Sequence, residues 1–92
     1  MEQKCFDPLE GKFAFSILLI VKEYESINKK NIAAVLKGRP GTIGDRVDVL
    51  EEAGLIKIEK LYFNQNMHMV SLTEKGLLVA EKVSEIGDIL TG

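Results

Sequence analysis

The chain has 92 residues, which fits one domain, and 46% of them are hydrophobic, too many for a disordered protein. It has no tryptophan and few aromatic residues, so its core is mainly aliphatic. The formal net charge of −2 argues against general affinity for nucleic acids, and one cysteine excludes an intramolecular disulfide.

The first predicted helix runs from Pro8 to Tyr24, after a flexible N-terminus of residues 1–7. Asp7 can cap it, and Pro8 suits a first helical turn. Apolar residues cover most sides of this helix, which indicates burial on most sides. In a small domain, that pattern favours a partner subunit over part of it, with Phe13, Phe15 and Leu19 at the contact.

Two short helices follow. Glu25 to Ile27 predict a short link with one strand-pairing residue, and Asn28 is a good cap for a helix of about Lys29 to Leu36. Gly38 ends that helix, and Pro40 suits the first turn of the next, which runs to about Ala53. Two short helices joined by a tight, glycine-containing turn are the helix-turn-helix pattern.

The rest of the chain predicts a hairpin and a last helix. Gly54 lies where a helix needs a left-handed residue to end, and Leu55 to Tyr62 has strand character. Residues 63–66 form a polar turn, and Met67 to Leu72 returns as the second strand. Thr73 caps a helix of residues 74–90, whose apolar seam suits pairing with another helix. The seam consists of Val79, Val83, Ile86 and Leu90.

The third predicted helix carries the most specific sequence signal. Ile43, Val47 and Leu50 recur at helical spacing, and the segment Leu50–Ile56 reads LEEAGLI. A helix that ends this way and leads into a strand resembles the recognition helix and first wing strand of a winged helix-turn-helix domain. The chain is similar to the small winged-helix transcriptional regulators of bacteria and archaea, including the antibiotic-resistance-repressor and arsenic-repressor types.

The resemblance implies an α+β, mostly helical fold over residues 1–92: a three-helix core, a two-stranded wing at about 55–72 and a C-terminal dimerisation helix. It covers nearly the whole chain in element order. It also implies a sequence-specific DNA-binding regulator that acts as a homodimer. Double-stranded DNA is then the partner, with the helix of residues 40–53 in the major groove and the wing on flanking DNA.

Enzymatic chemistry is not indicated. The only histidine, His68, has no nucleophile or carboxylate at a recognisable spacing, and Gly38 to Thr42 is not a phosphate-binding loop. No metal-ligand cluster or cofactor motif is present, and we expect Cys5 to be inert. The apolar run from Phe13 to Val21 is too short to span a bilayer, and a free thiol suits a reducing cytosol. We therefore expect a cytoplasmic protein.

The charge distribution permits DNA binding by the middle of the chain. Residues 28–68 hold seven basic and five acidic residues, or +2, while the flanks hold five and nine, or −4. The resemblance implies that the outward residues of the recognition helix meet DNA, and these are Arg39, Gly41, Thr42, Asp45 and Arg46. For each of these, an ordinary solvated side chain is the alternative.

Asp45 departs from the polar or basic residue that such regulators often carry. A carboxylate is repelled by phosphates, although it can accept a hydrogen bond from the amino group of cytosine. The alternative, which we favour, is that Thr42 and Asp45 form a capping box at the start of the helix.

Two further sets of residues are candidates for DNA contacts. Lys29 and Lys30, at the start of the second helix, are placed for backbone phosphates. On the wing the candidates are Lys57, Lys60, Asn64, Gln65 and Asn66. A protein-interaction module without strong DNA binding is the alternative function, because the net charge is negative and Asp45 and Asp48 lie on the same helix.

Overall fold

The structure is a computed structural model that describes residues 6–61 and 64–92, the latter with side chains from residue 67 onward. Within these residues the elements follow the predicted order. They are α1 (Asp7–Glu10), α2 (Ala14–Tyr24), β1 (Ile27–Asn28), α3 (Lys29–Leu36), α4 (Pro40–Glu52), β2 (Ile56–Leu61), β3 (Asn64–Leu72) and α5 (Glu74–Thr91).

The strands form an antiparallel sheet in the order β1-β3-β2. The hairpin of β2 and β3 is the wing, in which Ile56 pairs with Leu72 and Lys60 with His68. The short strand β1 pairs on the other edge of β3, with Ile27 opposite Val70. The predicted pairing residue ahead of the second helix is therefore confirmed.

One apolar core joins helices α2 to α5 and the sheet. Helix α4 contributes Ile43, Val47 and Leu50, all fully buried, as their spacing predicts. The other core residues come from every neighbouring element: Ile17, Leu18, Val21, Ile27, Ile32, Ala33, Leu55, Ile56, Val70 and Ala80. This arrangement holds α4 against the domain along one face and leaves its other face outside.

Three helix ends form as their residues predict. The Asn28 side chain accepts a hydrogen bond from the Lys30 amide at 3.1 Å, and Thr73 accepts one from the Gly76 amide at 3.0 Å. Gly54 has a φ of 80° at the end of α4. The Gly54 amide donates to Glu51 and the Leu55 amide to Leu50, at 2.9 and 3.0 Å. This is a Schellman motif, and it explains why LEEAGLI marks the end of a helix.

The first predicted helix is wrong, because the structure divides it into α1 and α2. Gly11 is extended, and Phe13 has a left-handed φ of 70°. A Cβ atom on Gly11 would overlap the guanidinium of Arg46, so glycine lets this side chain of α4 lie over the break between α1 and α2. Asp7 is not the cap either, since it begins α1 after Phe6. Residues 1–5, including Cys5, lie outside the described residues.

Two smaller predictions also need correction. The left-handed residue that ends α3 is Lys37, with a φ of 55°, and Gly38 instead allows close packing against Ile43 and Phe13. Strand β3 begins at Asn64, so residues 64–66 belong to a strand and not to the predicted turn. The cause is an irregularity after Lys60, beyond which Leu61 pairs with Asn64 and extends the ladder.

Candidate nucleic-acid interface

Helix α4 presents a continuous line of exposed residues opposite its core face. Gly41, Asp45, Asp48 and Glu52 are all exposed and recur at intervals of four, three and four residues. We call these four residues the outward stripe. It carries three carboxylates and no basic residue, whereas Arg46 lies on one flank of α4.

The interpretation of Thr42 and Asp45 as a capping box is wrong. Helix α4 starts at Pro40, its N-cap is Arg39, and no side chain caps it. Thr42 and Asp45 consequently lie inside the helix, and neither side chain caps it. Asp45 is exposed and Thr42 is half-buried.

Arg46 lies on the flank of α4 that faces α1 and α2. It is half-buried, and its guanidinium lies directly over Gly11. This contact fixes the side chain near the outward stripe without burying its charge. Arg39, the residue just before α4, is exposed and lies two turns before Arg46 on the same side of the helix.

The opposite flank of α4 is joined to α3 by an ion pair. Lys29 Nζ lies 3.0 Å from Asp48 Oδ1, with 25% and 59% of the two side chains exposed. Gly44 lies beneath this pair, because a Cβ there would be 3.5 Å from Cε of Lys29. One of the cations predicted to bind phosphate, Lys29, is thus already paired with a carboxylate of α4.

A groove of about 390 Å³ runs between the first turns of α3 and α4 and the wing. The structure brings four of the residues singled out from the sequence to this groove: Lys29, Lys30, Asp45 and His68. Lys60 pairs with His68 and belongs to the same face of the wing. Lys57 alternates to the other face, so the structure does not join it to this group.

The wing tip was a further predicted contact. Asn64, Gln65 and Asn66 lie at the start of β3, and their side chains fall outside the described residues. Their strand places them at the distal end of the hairpin, beyond the pair of Lys60 and His68.

The C-terminal end of α4 is tied to the start of α5. The carbonyl oxygens of Gly54 and Leu55 accept hydrogen bonds from the hydroxyl and the amide of Thr73, at 2.7 and 3.1 Å. Lys75 Nζ donates to the Ala53 carbonyl at 3.3 Å. A Cβ on Gly76 would collide with the Leu55 carbonyl, so the two segments are in direct backbone contact. We call this region the α4–α5 joint, and sequence patterns gave no sign of it beyond the cap at Thr73.

The predicted dimerisation residues fall into two groups. Val83 is 7% exposed, and Val79, Phe13 and Leu19 are half-buried, with Val79 and Phe13 packed on the core of their own domain. Phe15, Ile86 and Leu90 are exposed, at 45%, 50% and 80%. Ile89, which the seam omitted, is 78% exposed, and its position one turn after Ile86 is the signal that was missed. We call Ile86, Ile89 and Leu90 the apolar end of α5.

Within residues 6–61 and 64–92, no helix is both long and apolar enough to cross a membrane. Among the same residues, no group of three or more histidine, cysteine, aspartate or glutamate side chains is placed to hold a metal ion.

The fold and this arrangement define a winged helix-turn-helix domain. No protein-family model and no curated protein sequence matches the chain. Solved structures do match it, and those described below are winged-helix transcriptional regulators, so the resemblance inferred from the sequence is confirmed.

The transcriptional regulator SlyA is 25% identical, with a TM-score of 0.80 over 90% of this chain and 59% of SlyA. A mutant of ZitR from Lactococcus lactis is 26% identical, with a TM-score of 0.75 over 84% of this chain and 58% of ZitR. A transcriptional regulator homologue from Pyrococcus horikoshii OT3 is 23% identical, with a TM-score of 0.78 over 94% of this chain and 87% of that protein. The chain spans about three fifths of the length of SlyA and ZitR.

Proposed function

We propose that this chain is the DNA-binding domain of a transcriptional regulator, with α4 in the major groove and the wing on flanking DNA. The observation that carries the proposal is the position of α4. It is held by its core face and by the α4–α5 joint, while its first turns stand free between two cationic flanks. A major groove admits one helix, and a winged-helix regulator presents its recognition helix in this way.

The cationic flanks are suited to the phosphates on either side of the groove. Arg39 and Arg46 lie on one side of the outward stripe, and Lys29 and Lys30 lie on the other. Thr42, between them, is placed for a base edge or a phosphate. Lys57, Lys60 and the amides of residues 64–66 are the wing contacts under this proposal.

The second part of the proposal is a homodimer. The apolar end of α5 leaves three large aliphatic side chains in solvent within the last two turns of the chain's longest described helix. Phe15 and Leu78 add exposed apolar area on the helices that pack together, α2 and α5. A two-fold contact through these residues covers them in both copies at once. The α4–α5 joint then transmits the spacing of the dimer helices to the two recognition helices.

Fluorescence anisotropy with a generic duplex at low salt tests the DNA proposal. We expect binding at micromolar protein that weakens as the salt concentration rises. Lys30→Gln removes an exposed cation beside the groove, so it should lower the affinity and reduce the salt slope by about one. Lys22→Gln is the matched control, since Lys22 lies beside the start of α5, away from the groove. No salt-dependent binding by the wild-type protein would reject the proposal.

A protein-interaction module is the second candidate, and the acidic outward stripe favours it. Asp45, Asp48 and Glu52 offer three carboxylates to a partner and no cation. Arg46→Ala separates the two functions. If DNA is the partner, the variant binds the duplex more weakly, and if a protein is the partner, neither form binds it. The thermal unfolding of the variant must be compared as well, because Arg46 also packs on Gly11.

A further inference from the structure

Two carboxylates on the outward stripe of α4 have different surroundings. Asp48 is paired with Lys29 at 3.0 Å. Asp45, at the same groove one turn earlier, has no salt bridge within residues 6–61 and 64–92. The capping role that the sequence offered for Asp45 does not exist in the structure, since α4 has no side-chain cap. Its carboxylate therefore projects from the recognition helix without an observed role in the fold.

Gly41, one turn before Asp45 on the outward stripe, is a glycine whose surroundings leave room for a side chain. A Cβ at Gly41 would meet no atom within 4 Å, and its φ is not left-handed, so the fold does not require glycine there. Glycine weakens a helix relative to alanine. A bare backbone at this position is useful when a ligand comes close to it. Under the proposed function, that ligand is the floor of the major groove.

A close approach at Gly41 brings the short Asp45 side chain within reach of the base edges. The carboxylate can only accept hydrogen bonds, and the major groove offers two donors, the amino groups of cytosine and adenine. The adenine amino group lies between two acceptors, N7 of adenine and O4 of thymine. The cytosine amino group has an acceptor on one side only, so a carboxylate is repelled less there.

We propose that Asp45 is a specificity-determining residue that reads a cytosine by accepting a hydrogen bond from its amino group. This inference rests on the proposed function and adds the base that the site selects. Repulsion between Asp45 and the phosphates weakens binding to every sequence, and the cytosine contact offsets that repulsion only at matching sites. Asp45 therefore lowers general affinity and raises discrimination.

Selection from a random-sequence duplex library tests this, with the wild-type chain, Asp45→Asn, Asp45→Ala and Asp48→Asn run in parallel. We expect a wild-type motif with one cytosine that Asp45→Ala no longer selects, at a loss of discrimination on the order of tenfold. Asp45→Asn should prefer adenine at that position, because an amide matches the adenine edge. Asp48→Asn, with the same change of charge one turn away, should keep the cytosine.

The possible results separate the inference from the proposed function. If the wild-type chain enriches no motif and binds no duplex, both are rejected. If it enriches a motif that is identical in both Asp45 variants, only the reading by Asp45 is rejected.

Gly41→Ala gives a second measurement that does not involve charge. It should keep or raise the unfolding temperature and lower the affinity for the selected duplex by about tenfold, because a Cβ holds the helix away from the bases. An unchanged affinity would overturn the close approach on which the reading of cytosine depends.

Discussion

Helices α4 and α5 bury one face each in the same core, but only α5 also exposes large aliphatic side chains to solvent, beside its charged residues. Outside the core, α4 exposes glycine and carboxylates in the outward stripe, whereas α5 exposes Ile86, Ile89 and Leu90. The buried faces alone are alike, since both are aliphatic and both are read from helical periodicity. The exposed faces therefore distinguish the two helices, and they suit a polar partner for α4 and an apolar one for α5.

Helices α4 and α5 also differ in which of their ends is held by hydrogen bonds to the other helix. The C-terminal end of α4 is fixed by hydrogen bonds to Thr73 and Lys75, and its N-terminal end is uncapped and exposed. In α5 the N-terminal end is the fixed one, and the C-terminal end carries the exposed apolar residues. Both helices are anchored at the α4–α5 joint and offer their far ends to partners.

The largest expected effect on stability comes from the face that α4 buries in the core. Leu50→Ala should lower the free energy of unfolding by about 2–5 kcal/mol, because Leu50 is fully buried and its loss leaves a cavity. The matched control is Leu77→Ala on α5, a leucine that is 42% exposed and lies outside the proposed dimer contact, so the change should be about 0.5 kcal/mol. Urea unfolding followed by circular dichroism measures both. Equal effects would contradict the assignment of the two faces.

The next largest effect is expected on self-association, from a substitution in the apolar end of α5. Leu90→Ser should weaken self-association by roughly a thousandfold, since burying this side chain contributes about 2 kcal/mol in each of the two copies. Thermal unfolding of the monomer should not change, because Leu90 is 80% exposed. Analytical ultracentrifugation over a concentration series gives the dimer constant. A wild-type chain that remains monomeric at tens of micromolar would remove the homodimer from the proposal.

The α4–α5 joint is tested by Thr73→Ala, which removes the donor to Gly54 and the acceptor for Gly76. The loss of a helix cap and a second hydrogen bond should cost about 1–2 kcal/mol. Thr73→Ser keeps the hydroxyl and should restore most of that stability. If serine unfolds as early as alanine, the hydroxyl is not the stabilising group.

The smallest effect on stability is expected at the ion pair between Lys29 and Asp48. Asp48→Asn should change the free energy of unfolding by less than about 1 kcal/mol, since the pair is partly exposed. It should raise DNA affinity and steepen the salt dependence by about one phosphate contact, because Lys29 is released. Anisotropy at several salt concentrations measures this. A slope equal to that of the wild type would show that Lys29 does not reach a phosphate.

Much of the fold can be predicted from short segments of the sequence. The caps at Asn28 and Thr73 and the Schellman motif after Leu50 each involve residues within a few positions of one another. The core face of α4 likewise follows from the spacing of Ile43, Val47 and Leu50. Helix caps and the helical spacing of apolar residues depend only on residues close together in the chain. They can therefore be predicted from the sequence alone.

Less of the candidate DNA-binding site could be predicted from the sequence. Its position on α4 follows from the resemblance, but the local pattern of Thr42 and Asp45 predicted a cap that does not form. The cap does not form because α4 begins at Pro40, three residues earlier than a capping box of Thr42 and Asp45 requires. The seam of α5 was similarly divided, since Val79 and Val83 pack on their own core while Ile86 and Leu90 stay exposed.

The sequence by itself therefore determined the order of the elements after the first helix, three of the helix ends and the buried face of α4. Only the tertiary structure decided the break at Gly11, which Arg46 occupies, and the pairing of Lys29 with Asp48 across 19 positions. It also decided the α4–α5 joint. The physical reason is that these contacts join residues distant along the chain, whose meeting depends on how every intervening element packs.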